Sequence, residues 1–171
     1  MMKVAVSRSA VLTAVVIAVL VAATPFAVAD FFEKGELYIL SRRFMDDLIA
    51  RLHGPGRLRF IFQPATAIVL GVRDGVKDAH AGNPPFLWGL VFRAGGRRVL
   101  LSSALVSVGD LLAIAILVDA AAQLLILRMV YPGAALILGP VLIAIPYASS
   151  RALANRIIRR RERHVPVVAA H

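Results

Sequence analysis

The chain has 171 residues, 59% of them hydrophobic, with 20 Lys or Arg against 10 Asp or Glu and a formal net charge of +10. Soluble domains are about 45–50% apolar, so this excess, gathered in blocks of bilayer-spanning length, argues for one membrane domain over a soluble core with an anchor. Cysteine is absent, which excludes a disulfide framework, a thiolate nucleophile and any Cys-ligated metal site.

The N-terminus reads Met1-Met2-Lys3 with Arg8, then an apolar run from Ala10 to Ala23, then Ala27-Val28-Ala29 before Asp30. A basic start, an apolar centre and a small-x-small exit describe a signal peptide cleaved after Ala29. Val11 to Val28 is also just long enough to span, and Phe31-Phe32 carries the apolar character past Asp30. Residues 1–29 are therefore either an N-terminal transmembrane helix or a leader, and both readings stand.

Residues 30–58 form the next segment. Leu37, Leu40, Phe44, Leu48 and Leu52 recur at three- and four-residue spacing, which predicts an amphipathic helix over Leu37 to Leu52. Arg42 with Asp46 and Arg43 with Asp47 are spaced for weak pairing. The helix stops at His53-Gly54-Pro55-Gly56. It is expected to lie in the headgroup plane, apolar side down, in preference to packing on the rest of the domain.

Residues 59–103 carry a short apolar stretch and a basic, aromatic loop. Phe60 to Val72 is about 13 residues, or roughly 20 Å of helix, short of a hydrocarbon core about 30 Å thick. It is expected to be re-entrant or interfacial, with Pro64 in its first turn. Arg73 to His80 is a polar exit, and Gly82-Asn83-Pro84-Pro85 a firm stop. Phe86, Trp88 and Phe92 suggest an interfacial aromatic belt, and Arg93, Arg97 and Arg98 close the loop around a Gly95-Gly96 hinge.

Residues 104–150 read as a transmembrane hairpin. One span runs from about Leu105 to Met129 and the other from about Gly133 to Ala148, joined at Tyr131-Pro132-Gly133. Pro140 and Pro146 lie inside the second span. The basic tail, 151–171, begins as a helix over Arg151 to Arg163 and frays from Val165. Arg93, Arg97 and Arg98 precede the hairpin, and Arg151, Arg156, Arg159, Arg160, Arg161 and Arg163 follow it. The positive-inside rule puts both ends in the cytoplasm and the turn outside. An N-terminus outside would also leave Lys34, Arg42, Arg43, Arg51, Arg57 and Arg59 inside, but opposes Lys3 and Arg8.

Asp119 is the residue with the sharpest chemistry. A carboxylate near the middle of an apolar helix costs about 2.5–3.5 kcal/mol on insertion scales, and Gln123 shares its face. The pair reads as a proton or ion site, or more plainly as a hydrogen-bonded contact between helices. Asp110 joins them as a third intramembrane polar residue but lies on another face, at an interface. Asp74, Asp78 and His80 make an incomplete ligand set with Arg73 and Lys77 as competitors, so a solvated helix end with local ion pairs is expected and no metal. Ser102-Ser103 and Ser149-Ser150 have no base at a suggestive spacing, so no catalytic residue is assigned. Gly71-Val72-Arg73-Asp74-Gly75 lacks the strand-to-helix setting of a dinucleotide fingerprint. Arg93, Arg97, Arg98, Arg159, Arg160 and Arg161 are candidates for anionic headgroups. Without an aromatic-basic platform the charge does not point to nucleic acid.

Arg59-Phe60-Ile61-Phe62-Gln63-Pro64, Gly71-Val72-Arg73-Asp74-Gly75 and Asn83-Pro84-Pro85-Phe86-Leu87-Trp88, ahead of a hydrophobic hairpin, resemble a pattern in a group of small uncharacterised bacterial inner-membrane proteins. The resemblance covers roughly Arg57 to Arg163 and implies the fold, with no activity to transfer.

The expectation is an all-α integral protein of a bacterial cytoplasmic membrane, multi-pass, with its C-terminus in the cytoplasm. No cofactor is implied. The leading function is a structural or accessory subunit acting by helix packing, in a homo-oligomer or a larger membrane complex. The alternatives are an oligomeric transporter or channel using Asp119 and Gln123, and a protein that binds anionic phospholipid.

Overall fold

The computed structural model describes residues 7–54, 57–92 and 96–164. Among them the secondary structure is all helical. The elements are α1 (Arg8–Lys34), a 3-10 turn (Tyr38–Leu40), α2 (Arg42–His53), α3 (Arg59–His80), α4 (Phe86–Phe92), α5 (Arg97–Leu127) and α6 (Pro132–His164). Three are long and apolar enough to cross a membrane: α1, α5 and α6 as far as Glu162.

The helix ends follow local chemistry. Ser7 caps α1 by accepting from the Ala10 amide at 3.2 Å, and Gly35, at φ +68°, ends it with its amide on the Phe31 carbonyl. Ser41 caps α2 by accepting from the Phe44 amide at 3.3 Å. Starting at Arg42, α2 leaves Leu37 and Leu40 off the helix and exposed, and buries Phe44 and Arg51. Of the expected stripe Phe44 is buried, Leu48 is partly buried and Leu52 is exposed, and Arg51 joins Phe44 on the inner side. The expected Arg43–Asp47 pair gives way to other partners: Arg43 takes Asp30 and Tyr131, and Asp47 takes the Tyr38 hydroxyl.

The apolar stretch from Phe60 does not stop near Val72 but runs on as a single 22-residue helix to His80. It begins at Arg59, so Pro64 lies inside the helix and not in its first turn. Likewise α5 starts at Arg97, before the expected Leu105. The second span and the helix expected over Arg151 to Arg163 are one unbroken element, α6. Between α5 and α6 Arg128 adopts a left-handed backbone at φ 57°, which costs about 1–2 kcal/mol for an L-residue. The side chain of Gln123 helps hold this turn by accepting from the Tyr131 amide at 2.7 Å.

The chain divides into two compact units, Met1–Gln63 with Gly109–Ile143, and Pro64–Val108 with Ala144–His171. In the first, Val16, Ile116 and Ala135 form one apolar cluster, and Tyr38, Phe44, Tyr131 and Ala134 another. Tyr38 and Tyr131 stack at 3.6 Å. Gly139 lets α6 approach α5 closely: a Cβ there would sit 3.0 Å from the Ala115 and Ile116 backbone.

In the second unit α3 meets α6 at Gly71 and Gly75, in a buried line with Ala67 and Ala79 at four-residue spacing. A Cβ on Gly75 would come within 2.3 Å of the Arg151 carbonyl oxygen, and one on Gly71 within 2.5 Å of that of Tyr147. Small residues at this spacing let the two helix backbones approach closely.

Candidate functional sites: two buried charge clusters

In the first unit Asp119, on α5, is 2% exposed. Gln123, one turn on, donates to its Oδ2 at 2.7 Å. Arg59 Nη1, from the start of α3, lies 2.8 Å from Oδ1, and Arg51 Nη1, from α2, lies 3.7 Å away. The Arg59 Nη1 group also donates to the Val118 carbonyl at 3.3 Å, and the Arg59–Asp119 pair is held by charge without an aligned hydrogen bond. Arg51 Nη2 donates to the Tyr38 hydroxyl at 2.7 Å, which donates on to Asp47 at 2.8 Å. Two guanidinium groups thus share one carboxylate. Burial, and Arg51 nearby, hold the Arg59 pKa below the usual guanidinium range against the attraction of Asp119. Around this cluster Asp30 receives Lys34, Arg43 and the Tyr131 hydroxyl.

The second unit inverts the ratio. Asp74 and Asp78, one turn apart on α3, are both buried. Arg151 grips Asp78 with two hydrogen bonds, Nε to Oδ2 at 2.7 Å and Nη2 to Oδ1 at 3.1 Å, the fork-on-carboxylate geometry of a strong pair. Its Nη1 donates to the Tyr147 hydroxyl at 2.9 Å, which donates to Asp74 at 2.8 Å. Ser107 and Arg73 also donate to Asp74, and Arg151 Nη2 reaches Ser103 at 3.3 Å. The Arg151 guanidinium lies 4.6 Å from the centre of the Phe86 ring. Burial pushes the Asp74 carboxyl up, but hydrogen bonds from Ser107, Tyr147 and Arg73 outweigh it and hold the group below its ordinary range. An open cleft of about 400 Å³ faces this cluster, lined by Asp74, Asp78, Ser102, Ser103, Ser107 and Arg151 among others.

Asp119 and Gln123, expected to share a face, are brought together. Asp110 is partly exposed and stands outside their cluster. Phe86, expected in an aromatic belt, is buried against Tyr147 and Arg151, whereas Trp88 and Phe92 are exposed with ring centres 4.1 Å apart. Arg97 donates to the Val91 carbonyl, Arg98 and Arg161 are exposed, and Arg93 lies outside the described residues. Arg159 donates to the Asn83 carbonyl and, with Arg156, Arg160 and Pro85, lines a cleft of about 320 Å³.

Asp74 and Asp78 are not the solvated helix end the sequence suggests: each is buried by residues far along the chain, Asp78 by Arg151 at a separation of 73. His80, exposed, lies 3.7 Å from Glu162, and no three-ligand metal cluster occurs among the described residues. From the sequence, Arg51, Arg59 and Arg151 are charges that bear on orientation, and Arg59 also opens the Arg59-Phe60-Ile61-Phe62-Gln63-Pro64 stretch; none of them is expected to be buried. For Asp74 and Asp78 the signal was their place beside Gly71 and Gly75. No protein-family model, curated protein or solved structure matches the chain, so the functional reading rests on this geometry.

Proposed function

We propose that the chain is a multi-pass protein of a bacterial cytoplasmic membrane, C-terminus inside, acting as a structural or accessory subunit through helix packing. The observation that carries this reading is the engagement of Asp119. A carboxylate set between Arg59 at 2.8 Å and Arg51 at 3.7 Å, with Gln123 on its other oxygen, is a clamp on α2, α3 and α5. A proton or ion carrier needs a carboxylate that exchanges partners, so the transporter reading is the weaker one. The apolar residues left exposed on the spanning helices, such as Ile17, Val21 and Phe26 on α1 or Leu105 and Val106 on α5, suit contact with lipid or with neighbouring helices.

The test is Asp119→Asn in the purified protein and in liposomes. The packing reading expects lower thermal stability, loss of any assembly that depends on the native fold, and no change in ion flux. Intact assembly with abolished proton- or ion-driven flux would establish the transporter reading instead.

The cleft formed by Pro85, Arg156, Arg159 and Arg160 favours anionic phospholipid as a partner, since positioned basic side chains contribute about 1 kcal/mol each near an anionic surface. Neutralising Arg156 and Arg159 together should reduce the phosphatidylglycerol that co-purifies, read by native mass spectrometry.

A further inference from the structure

The Arg51–Arg59–Asp119 cluster has donors without acceptors. Arg51 is fully buried and Arg59 is 6% exposed, yet Arg51 Nε and Nη1 and Arg59 Nε and Nη2 have no hydrogen-bond acceptor among the described residues. The acceptors left over are fewer, Gln63 Oε1 and Asp119 Oδ1. Buried polar groups of native proteins are almost always satisfied, and an unpaired buried charge is costlier than an unpaired amide. The formal charges, two guanidinium groups against one carboxylate, leave the site one positive charge in excess.

The identity of the unused atoms is specific. On Arg59 they are Nε and Nη2, the two N–H groups that project in parallel from one edge of the guanidinium plane. That edge is the one that grips an oxyanion through two oxygens. In the second unit Arg151 presents the same two nitrogens to Asp78 at 2.7 and 3.1 Å, so this chain already uses the edge for that purpose once. Gln123 and the Val118 carbonyl engage the far side of the Arg59–Asp119 contact, and the free edge is not spent on them.

We infer that Arg59 and Arg51 form a binding site for a phosphoryl oxyanion, held on the Nε/Nη2 edge of Arg59 and neutralising the surplus positive charge beside Asp119. The oxyanion is either free phosphate or the phosphodiester of a phospholipid headgroup. The site shares Arg51 and Arg59 with the packing contact of Asp119, and ligand binding is read separately from stability.

The test uses the full chain purified in a non-ionic detergent. Inorganic phosphate is titrated by calorimetry and by thermal shift, and phosphatidylglycerol retention is read by native mass spectrometry. Saturable phosphate binding that raises the unfolding temperature supports the site with free phosphate as its source. Phosphatidylglycerol that is still retained when Arg156 and Arg159 are both neutralised, and that phosphate does not displace, supports it with lipid as the source. In either case Arg59→Gln should weaken binding at least tenfold, and Arg59→Lys, which keeps the charge and loses the edge, should weaken it as well. Arg42→Gln, an exposed arginine of α2, should bind as the wild type does. Should Arg59→Gln fail to fold, Arg59→Lys and the wild-type titration decide. No saturable binding of phosphate and no retained phospholipid in the wild type would overturn the inference. Equal binding by the wild type and Arg59→Lys would overturn it too.

Discussion

The two units solve the problem of a charge inside an apolar helix bundle in opposite ways. The first sets two arginines, Arg51 and Arg59, against one carboxylate, Asp119. The second sets one buried arginine, Arg151, between the carboxylate of Asp78 and the hydroxyl of Tyr147, which passes a hydrogen bond on to Asp74. Every Arg151 nitrogen has an acceptor, whereas four guanidinium nitrogens of the first cluster have none among the described residues. A closed network holds a structure together, and one with surplus donors is suited to receiving a ligand.

The largest effect should come from breaking the closed network. Arg151→Met leaves Asp78 buried without its partner, and losing one member of a buried pair costs about 3–5 kcal/mol. Arg51→Met should cost clearly less, because Asp119 keeps Arg59 and two unpaired donors disappear with the side chain. Urea or thermal unfolding of the two variants in detergent gives the order, and Arg51→Met as the more damaging change would break the comparison.

Packing comes next. Gly75→Ala places a Cβ against the Arg151 backbone at 2.3 Å, and forced overpacking costs about 1–3 kcal/mol. Gly133→Ala, where a Cβ meets nothing within 4 Å, is the control and should leave the unfolding temperature within a degree or two of wild type. Equal loss in the two variants would mean that the close approach of α3 and α6 contributes little.

The smallest effects are in pH dependence, where one group beside each cluster titrates at an opposite end of the scale. The Asp74 carboxyl is held below its ordinary range. Its contribution is present above the unfolded carboxylate pKa and is lost as pH falls through the folded value. Burial pushes the Tyr38 phenol of the first unit up, with a further push from Asp47. That contribution is complete below the ordinary tyrosine pKa and is lost as pH rises through the folded value. Unfolding temperature against pH should therefore lose its acid slope in part in Asp74→Asn and its alkaline slope in part in Tyr38→Phe. A crossed result would place the titrating groups elsewhere.

Much of the fold is legible without coordinates. The apolar runs, the break at Tyr131-Pro132-Gly133 and the face shared by Asp119 and Gln123 are local properties, set by spacing along one helix. The reach of α3 is less legible, since charged residues from Arg73 onward conceal a helix that continues to His80. The clusters themselves were mostly hidden. Arg51, Arg59 and Arg151 look like three more members of a basic population, and Asp74 and Asp78 look like a wet helix end.

Composition and periodicity alone determine that the described chain is helical and carries stretches fit for a bilayer, because hydropathy and helix breaking depend on neighbours in sequence. Only the tertiary structure decides which charges are buried and with whom. A guanidinium on the surface and one in the interior have the same local sequence signature, and the difference is made by a carboxylate or hydroxyl brought from a distant helix. That is why Arg151 is satisfied by Asp78, and why Arg59 keeps an edge free.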